Sequence, residues 1–269
     1  MKIKGKTIIV TGGGSGMGRE MVLKLLNLGA NVAAIDMNEV SLNETVTLSG
    51  ASAERLSTHT VDISDAAAVQ VAVEKIAETH GHIDGLINNA GIIQPFVRIK
   101  DLEMSAIEKV MHVNFYGTLY MTRAVLPFLM QRPEAQIVNI SSMGGFLPVP
   151  GQAVYGASKA AVKLLTEALY AELLDTPIHV TLVFPGAVAT NITQNSGVSI
   201  PGAENRDPSK SKFKAMTASQ AAVIIISGME NNATRIYVGK DSKMMNLLYR
   251  ISPGFATRFI AKQMKSLLT

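Results

Sequence analysis

The chain has 269 residues, 47% of them hydrophobic and 17% charged, which is enough for one large globular domain with a sizeable core. It has no cysteine, which excludes disulfides and thiolate metal sites and fits a reducing cytoplasm. The formal charge of +4 is local: from Lys240 onward six basic residues (Lys240, Lys243, Arg250, Arg258, Lys262, Lys265) face one acid, Asp241, so the rest is near neutral and does not read as a nucleic-acid-binding body.

The charged start and short first apolar run do not make the core of a signal peptide. No stretch reaches the roughly 18 apolar residues of a membrane span. A cytoplasmic location is the expectation. Short β-branched runs at 7–10, 31–35, 56–61, 85–87, 136–140, 179–183 and 235–238 read as strands. Helical patterns alternate with them at 17–28, 66–79, 105–130, 154–174 and 218–229. Continuous apolar strands separated by helices predict an α/β, doubly wound, Rossmann-like parallel sheet of about seven strands. Residues 1–241 form the expected single domain, and 242–269 a C-terminal helical extension of it.

The first strand runs into Thr11-Gly-Gly-Gly-Ser-Gly-Met-Gly18. A glycine turn between a strand and a helix lets backbone N–H groups approach a pyrophosphate. The spacing is G-x-x-x-G-x-G, on Gly12, Gly16 and Gly18, rather than G-x-G-x-x-G. Asp36 ends the second strand, where a carboxylate can hold the adenosine ribose hydroxyls and repel a 2′-phosphate. This favours NAD over NADP; alternatively Asp36 caps the next helix. Asp62 ends the third strand, where it can contact the adenine edge; alternatively Asp62 or Asp65 caps the next helix. Asn88-Asn89-Ala90-Gly91 follows the fourth.

Tyr155 and Lys159 are four residues apart, so on a helix they share a face. A nearby ammonium favours phenolate, which would lower the tyrosine pKa and suit it to proton transfer. The five histidines are scattered, and no His/Asp/Glu cluster suggests a metal.

Together these residues, with Asn114, Ser142 and Pro185-Gly186, resemble the short-chain dehydrogenase/reductase family in its compact form, from Lys6 to about Asp241. The resemblance implies that Tyr155 is the catalytic acid/base and that Lys159 tunes it and holds the nicotinamide ribose. Ser142 would bond the substrate oxygen, although Ser141 also follows the fifth strand. Asn114 would kink its helix and anchor a water leading to Lys159. Cofactor contacts are implied for Gly12, Ser15, Gly16, Met17, Gly18, Asp36, Asp62, Ile63, Asn89, Ala90, Gly91, Tyr155, Lys159, Pro185, Gly186, Val188 and Thr190. Homodimers or homotetramers through 105–130 and 154–174 are implied as well.

Ile93, Gln94, Pro95, Phe96, Met143, Phe146, Leu147, Val149, Pro150 and Val154 form an apolar candidate wall. It favours a moderately hydrophobic secondary alcohol or ketone. The irregular stretch 193–214 reads as a substrate lid. Beyond the last strand, apolar residues recur with helical spacing among basic ones. That tail either packs on protein, the favoured reading, or contacts an anionic membrane surface. A non-catalytic NAD sensor is the alternative function. A sugar-nucleotide epimerase or dehydratase is disfavoured because such chains carry a larger C-terminal domain.

Overall fold

The computed structural model describes residues 1–199, 215–265 and 268. Seven strands form one parallel sheet: β1 (Thr7–Thr11), β2 (Asn31–Asp36), β3 (Leu56–Thr60), β4 (Gly85–Asn88), β5 (Ala135–Ile140), β6 (Ile178–Pro185) and β9 (Arg235–Val238). Their order is β3-β2-β1-β4-β5-β6-β9. A separate two-residue ladder pairs β7 (Val188–Ala189) with β8 (Met216–Thr217).

The strands are continuous apolar runs because helices cover both faces. Side-chain alternation splits β1 between the layers. Ile8 and Val10 enter a cluster with α1 (Gly16–Asn27) and α8 (Ala218–Glu230). Ile9 enters the opposite cluster, with α3 (Ala66–His80), α5 (Gly117–Leu129) and the far end of α6 (Ala153–Glu172). The chain runs outward through β1, β2 and β3, then returns to place β4 on the other side of β1. That reversal opens a crevice at the carboxyl ends of β1 and β4.

The helix expected over 105–130 is interrupted. α4 (Met104–Met111) and α5 are joined by a π-helical turn, His112–Tyr116, whose centre, Asn114, is pinned by hydrogen bonds to another segment. α2 (Glu39–Ser49) lies outside the predicted helices, because its apolar residues follow the helical repeat weakly. Its ends are nevertheless well marked: Asn38 accepts the Ser41 N–H, and Gly50 takes a left-handed φ of 57°.

The chain ends in α7 (Ile192–Asn195), β8, α8, β9, α9 (Lys240–Ile251) and α10 (Pro253–Gln263). The inner faces of α9 and α10 pack on the same protein: Met245, Ala256 and Ile260 form a third cluster with Leu147. Of the expected lid, 193–199 are described and include most of α7; 200–214 lie outside the described residues.

Candidate active site

At the end of β1, Thr11 ties two strands together. Its hydroxyl oxygen accepts the Asn89 and Ala90 N–H groups, both at 3.0 Å. The Asn89 amide donates to the Thr11 carbonyl at 3.0 Å. Gly12 then turns the chain with φ of 68°, a conformation that favours glycine. A Cβ on Gly18 would stand 1.9 Å from the Gly12 carbonyl oxygen, so only glycine lets α1 start this close to the turn. Arg19 braces the turn by donating from Nε to the Gly14 carbonyl at 2.9 Å and pairing with Glu44.

Asp36 faces this turn. One carboxylate oxygen accepts the Gly14 N–H and the other the Asn38 N–H, both at 3.0 Å. Asn38 is the cap of α2, so capping does not account for Asp36. Asp65, not Asp62, caps α3, accepting from Ala67 and Ala68. Asp62 instead accepts the Ser64 N–H and hydroxyl at 2.9 and 2.7 Å.

A cavity of about 860 Å³ brings together Gly12, Ser15, Gly16, Met17, Asp36, Asp62, Ile63, Asn89, Ala90, Gly91 and Thr190. Its features match an extended dinucleotide: a helix N-terminus without a side-chain cap, glycines beneath it, and a carboxylate at the β2 end. The residues fit such a group.

Ser142, Tyr155 and Lys159 do not line this cavity; they lie beyond Gly91, where a Cβ would meet Lys159 Nζ at 3.1 Å. Ser142 starts a short 3₁₀ turn, Met143–Gly145, and its oxygen accepts the Gly144 N–H at 3.0 Å. A Cβ at Gly144 would be in ordinary contact with both Tyr155 Cε1, at 3.4 Å, and Ser142 Oγ, at 3.5 Å, so the two side chains flank one point. Ser141 is buried and donates to the Lys159 carbonyl at 2.8 Å. Ser142 therefore lies beside Tyr155, while Ser141 holds α6.

Lys159 is buried, and its ammonium donates to the Ile140 carbonyl at 3.0 Å. Asn114 accepts the Ile92 N–H at 2.8 Å and donates to the Ile92 carbonyl and Ser158 hydroxyl at 2.9 and 3.0 Å. Its own carbonyl accepts from Thr118 at 2.8 Å.

Burial pushes the Tyr155 phenol above its ordinary value, and the Ser142 hydrogen bond offsets only part of this. Burial pushes Lys159 down to about 8. The structure thus corrects the expected lowering of the Tyr155 pKa: desolvation outweighs the attraction inferred from i, i+4 spacing.

Gln94 was expected only as pocket wall. It is wholly buried, and its side-chain oxygen accepts the Val154 and Tyr155 N–H groups at 2.8 and 3.1 Å. Its amide donates to the Gly151 carbonyl at 2.9 Å, and Gln152 donates back to its main-chain carbonyl at 2.8 Å. Gln152, the residue preceding α6, makes no cap with its own side chain. Gln94 therefore caps α6 from a distant segment, which no local motif could signal.

Past β6, Thr190 lies against Gly16. Asn195 donates to Ser15 at 2.8 Å, and Ser196 accepts the Ile93 N–H at 3.0 Å, so this segment crosses the crevice. Pro185 pairs with Val238 at the sheet end, and Val188 lies in β7. Gly186 is needed for packing: a Cβ there would come within 2.3 Å of Asp241, whose carboxylate accepts the Ala187 N–H at 2.8 Å.

The sequence matches the short chain dehydrogenase family over residues 6–199. It is 32% identical to the putative oxidoreductase SadH of Mycobacterium tuberculosis, over 96% of this chain and 95% of that protein. It is 33% identical to the 3-oxoacyl-[acyl-carrier-protein] reductase FabG of Thermotoga maritima, over 72% and 78%. Among solved structures, a short chain dehydrogenase/reductase from Burkholderia phymatum in complex with NAD superimposes with a TM-score of 0.83 at 24% identity, covering 95% of this chain and 96% of that one. A short chain dehydrogenase from Burkholderia cenocepacia in complex with NADP gives 0.78 at 25% identity, covering 98% and 99%. The family match and the full-length likeness to SadH place this chain in the short-chain dehydrogenase/reductase family, as an oxidoreductase.

Proposed function

We propose that the chain interconverts a moderately hydrophobic secondary alcohol and its ketone using NAD(H), with Tyr155, Lys159, Ser142 and Asn114 as the catalytic set. The observation that carries this reading is the Ser142–Tyr155 pair at the β5 end, in a fold whose cavity reaches Asp36. When bound, the nicotinamide would accept or supply the hydride. Tyr155 takes the proton from the alcohol oxygen in one direction and returns it to the ketone oxygen in the other. The Ser142 hydroxyl bonds that oxygen as its charge changes. Lys159 favours the ionised phenol, and Asn114 holds the 92 segment against α6 through Ser158.

The preference for NAD rests on Asp36, which faces the glycine turn with its carboxylate. Gly12, Ser15, Gly16 and Met17, which line the cavity with Asn89, Ala90 and Gly91, would lie beneath the pyrophosphate, with Gly18 letting α1 start close to them. Pro185, Gly186, Val188 and Thr190 make the turn for the carboxamide. Segment 193–214 serves as the lid, and residues 1–241 and 242–269 act as one catalytic domain with its extension. Self-association is part of the same reading, supported by exposed Leu164, Tyr170 and Leu174 on and just beyond α6.

Fluorescence titration with NADH and NADPH, on wild type and Asp36→Ala, tests the cofactor reading. NADH preference that weakens in the variant is the expected result. Turnover of apolar secondary alcohols, absent in Tyr155→Phe, tests the chemistry. Dinucleotide binding without turnover across such a screen would favour the sensor instead.

A further inference from the structure

The two C-terminal helices have an inner and an outer face of opposite character. Inward, Met245, Ala256 and Ile260 pack on Leu147, with Met143, Phe146 and Tyr249 around them. Ser242 donates to the Phe184 carbonyl at 2.8 Å, which fixes the rotation of α9. Outward, Met244, Leu247 and Ile251 fall within about 60° of one another around the helix. They are 51%, 60% and 74% exposed. Phe255 and Phe259 continue the strip on α10, their rings stacked with centroids 6.3 Å apart and also exposed. Soluble surfaces carry isolated apolar side chains freely, but a strip of five along two consecutive helices calls for a partner.

Charge identifies the class of partner. Lys243 and Arg250 are exposed and flank the α9 strip on one side. Arg258 and Lys262 are exposed beside the two phenylalanines. The acidic residue of this region, Asp241, is already engaged by the Ala187 N–H. We infer that the outer face of α9 and α10 docks on an anionic phospholipid surface, with the five apolar side chains in the headgroup–acyl boundary and the basic ones among the headgroups.

The apolar centre distinguishes this from a nucleic-acid site, where Ile251 and Phe255 would stay wet. An antiparallel two-fold packing of this face would set Lys243 and Arg250 on the same side as their own counterparts, whereas an anionic surface offsets their charge. Among the described residues no helix is long and apolar enough to cross a bilayer, so the contact lies in its plane. This face is separate from the crevice, and the inference does not depend on the proposed reaction.

The test is flotation of the full chain with vesicles of phosphatidylcholine, or of phosphatidylcholine with about 30 mol% phosphatidylserine. Wild type floats with the anionic vesicles and much less with the neutral ones, and added salt weakens the binding. Ile251→Ser with Phe255→Ser reduces partition at least ten-fold. Reversal of Lys243 and Arg258 to glutamate reduces it by at least about five-fold for each charge removed. Both variants keep wild-type melting and dinucleotide binding, because these side chains leave the inner cluster intact. Wild type that does not float, or variants that float as well as wild type, would overturn the inference. So would sedimentation showing that the same substitutions dissociate an oligomer while vesicle binding is absent. Preferential capture by an RNA or DNA duplex over the anionic vesicles would reassign the surface to nucleic acid.

Discussion

The side-chain oxygen of Gln94 accepts the main-chain N–H of Tyr155 at 3.1 Å, so the segment after β4 supplies the cap that α6 lacks. The same oxygen takes the Val154 N–H, and the amide nitrogen holds the Gly151 carbonyl. Helix starts leave several N–H groups without partners, and burying them unsatisfied costs about 1–3 kcal/mol each. Gln94 is thus a positioning residue, acting through the backbone of Tyr155. Gln94→Leu should lower kcat about 10- to 100-fold with a smaller change in KM. Gln94→Glu keeps the acceptor and, only when its carboxyl is protonated, also the donor to the Gly151 carbonyl, so its kcat relative to wild type should recover in part as pH falls. Equal losses in the two variants, or a change confined to KM, would remove this role.

Ser141 and Ser142 are adjacent, yet they do different things. Ser141 donates to the Lys159 carbonyl from a buried position, and a Cβ on Gly145 would press on its oxygen at 2.6 Å. Ser142 sits beside the Tyr155 ring. Ser142→Ala should cut kcat about 100-fold with little change in melting temperature. Ser141→Ala should instead cost about 1 kcal/mol of stability and spare most of the turnover per folded molecule. Parallel kinetics and thermal melts separate the two, and the reverse pattern would give Ser141 the substrate oxygen.

Much of this arrangement is legible in the sequence because it depends on local geometry. The strand–glycine–helix run at Thr11 to Gly18 announces the turn, and the continuous apolar strands announce a sheet covered on both faces. The Tyr155–Lys159 spacing places both on one face of α6. What stays hidden depends on distant partners. Gln94 looks like one more pocket residue until α6 is seen to start without its own cap. The break at Asn114 is expected from the family resemblance alone, because the bonds that hold it run to Ile92 and Ser158 in distant segments. The Tyr155 pKa follows from how deeply the phenol is set, which spacing does not reveal. Gly186 reads as a cofactor turn, while the pressure on it comes from Asp241 some fifty residues on.

Asp84 anchors the opposite, amino end of the central strands, just before β4. It is fully buried, accepts the Thr7 N–H at 2.9 Å and meets Arg132 and Lys6 at 2.8 and 3.4 Å. Burial pushes its carboxyl up, but these bonds and charges outweigh that and hold it below the usual range. A lowered folded pKa means that the unfolded chain binds the proton more readily. Its contribution is therefore complete above about pH 4 and is lost as pH falls below that, through the folded pKa. Asp84→Asn should cost about 2 kcal/mol near neutral pH, and the gap from wild type should narrow in acid. Melting curves across the acidic range check this; a gap that widens on acidification would have the wrong sign.

With Tyr155 and Lys159 in the proposed roles, the raised Tyr155 and lowered Lys159 pKa values would set the pH dependence of the two reaction directions. Ketone reduction needs the phenol protonated, and burial keeps it so through neutral pH. Alcohol oxidation needs the phenolate, so its kcat/KM should climb with pH and level only in the alkaline range. Lys159 remains charged below about 8 and loses its support for the phenolate above that. The ascending limb should therefore be shallower above about pH 8 than a single ionisation would give. Lys159→Met removes the charge altogether, which should lower oxidation at neutral pH by about 100-fold and move the limb to higher pH. Initial rates in both directions on wild type and variant decide the matter. An oxidation rate flat across neutral and alkaline pH in wild type would show that Tyr155 does not carry the proton.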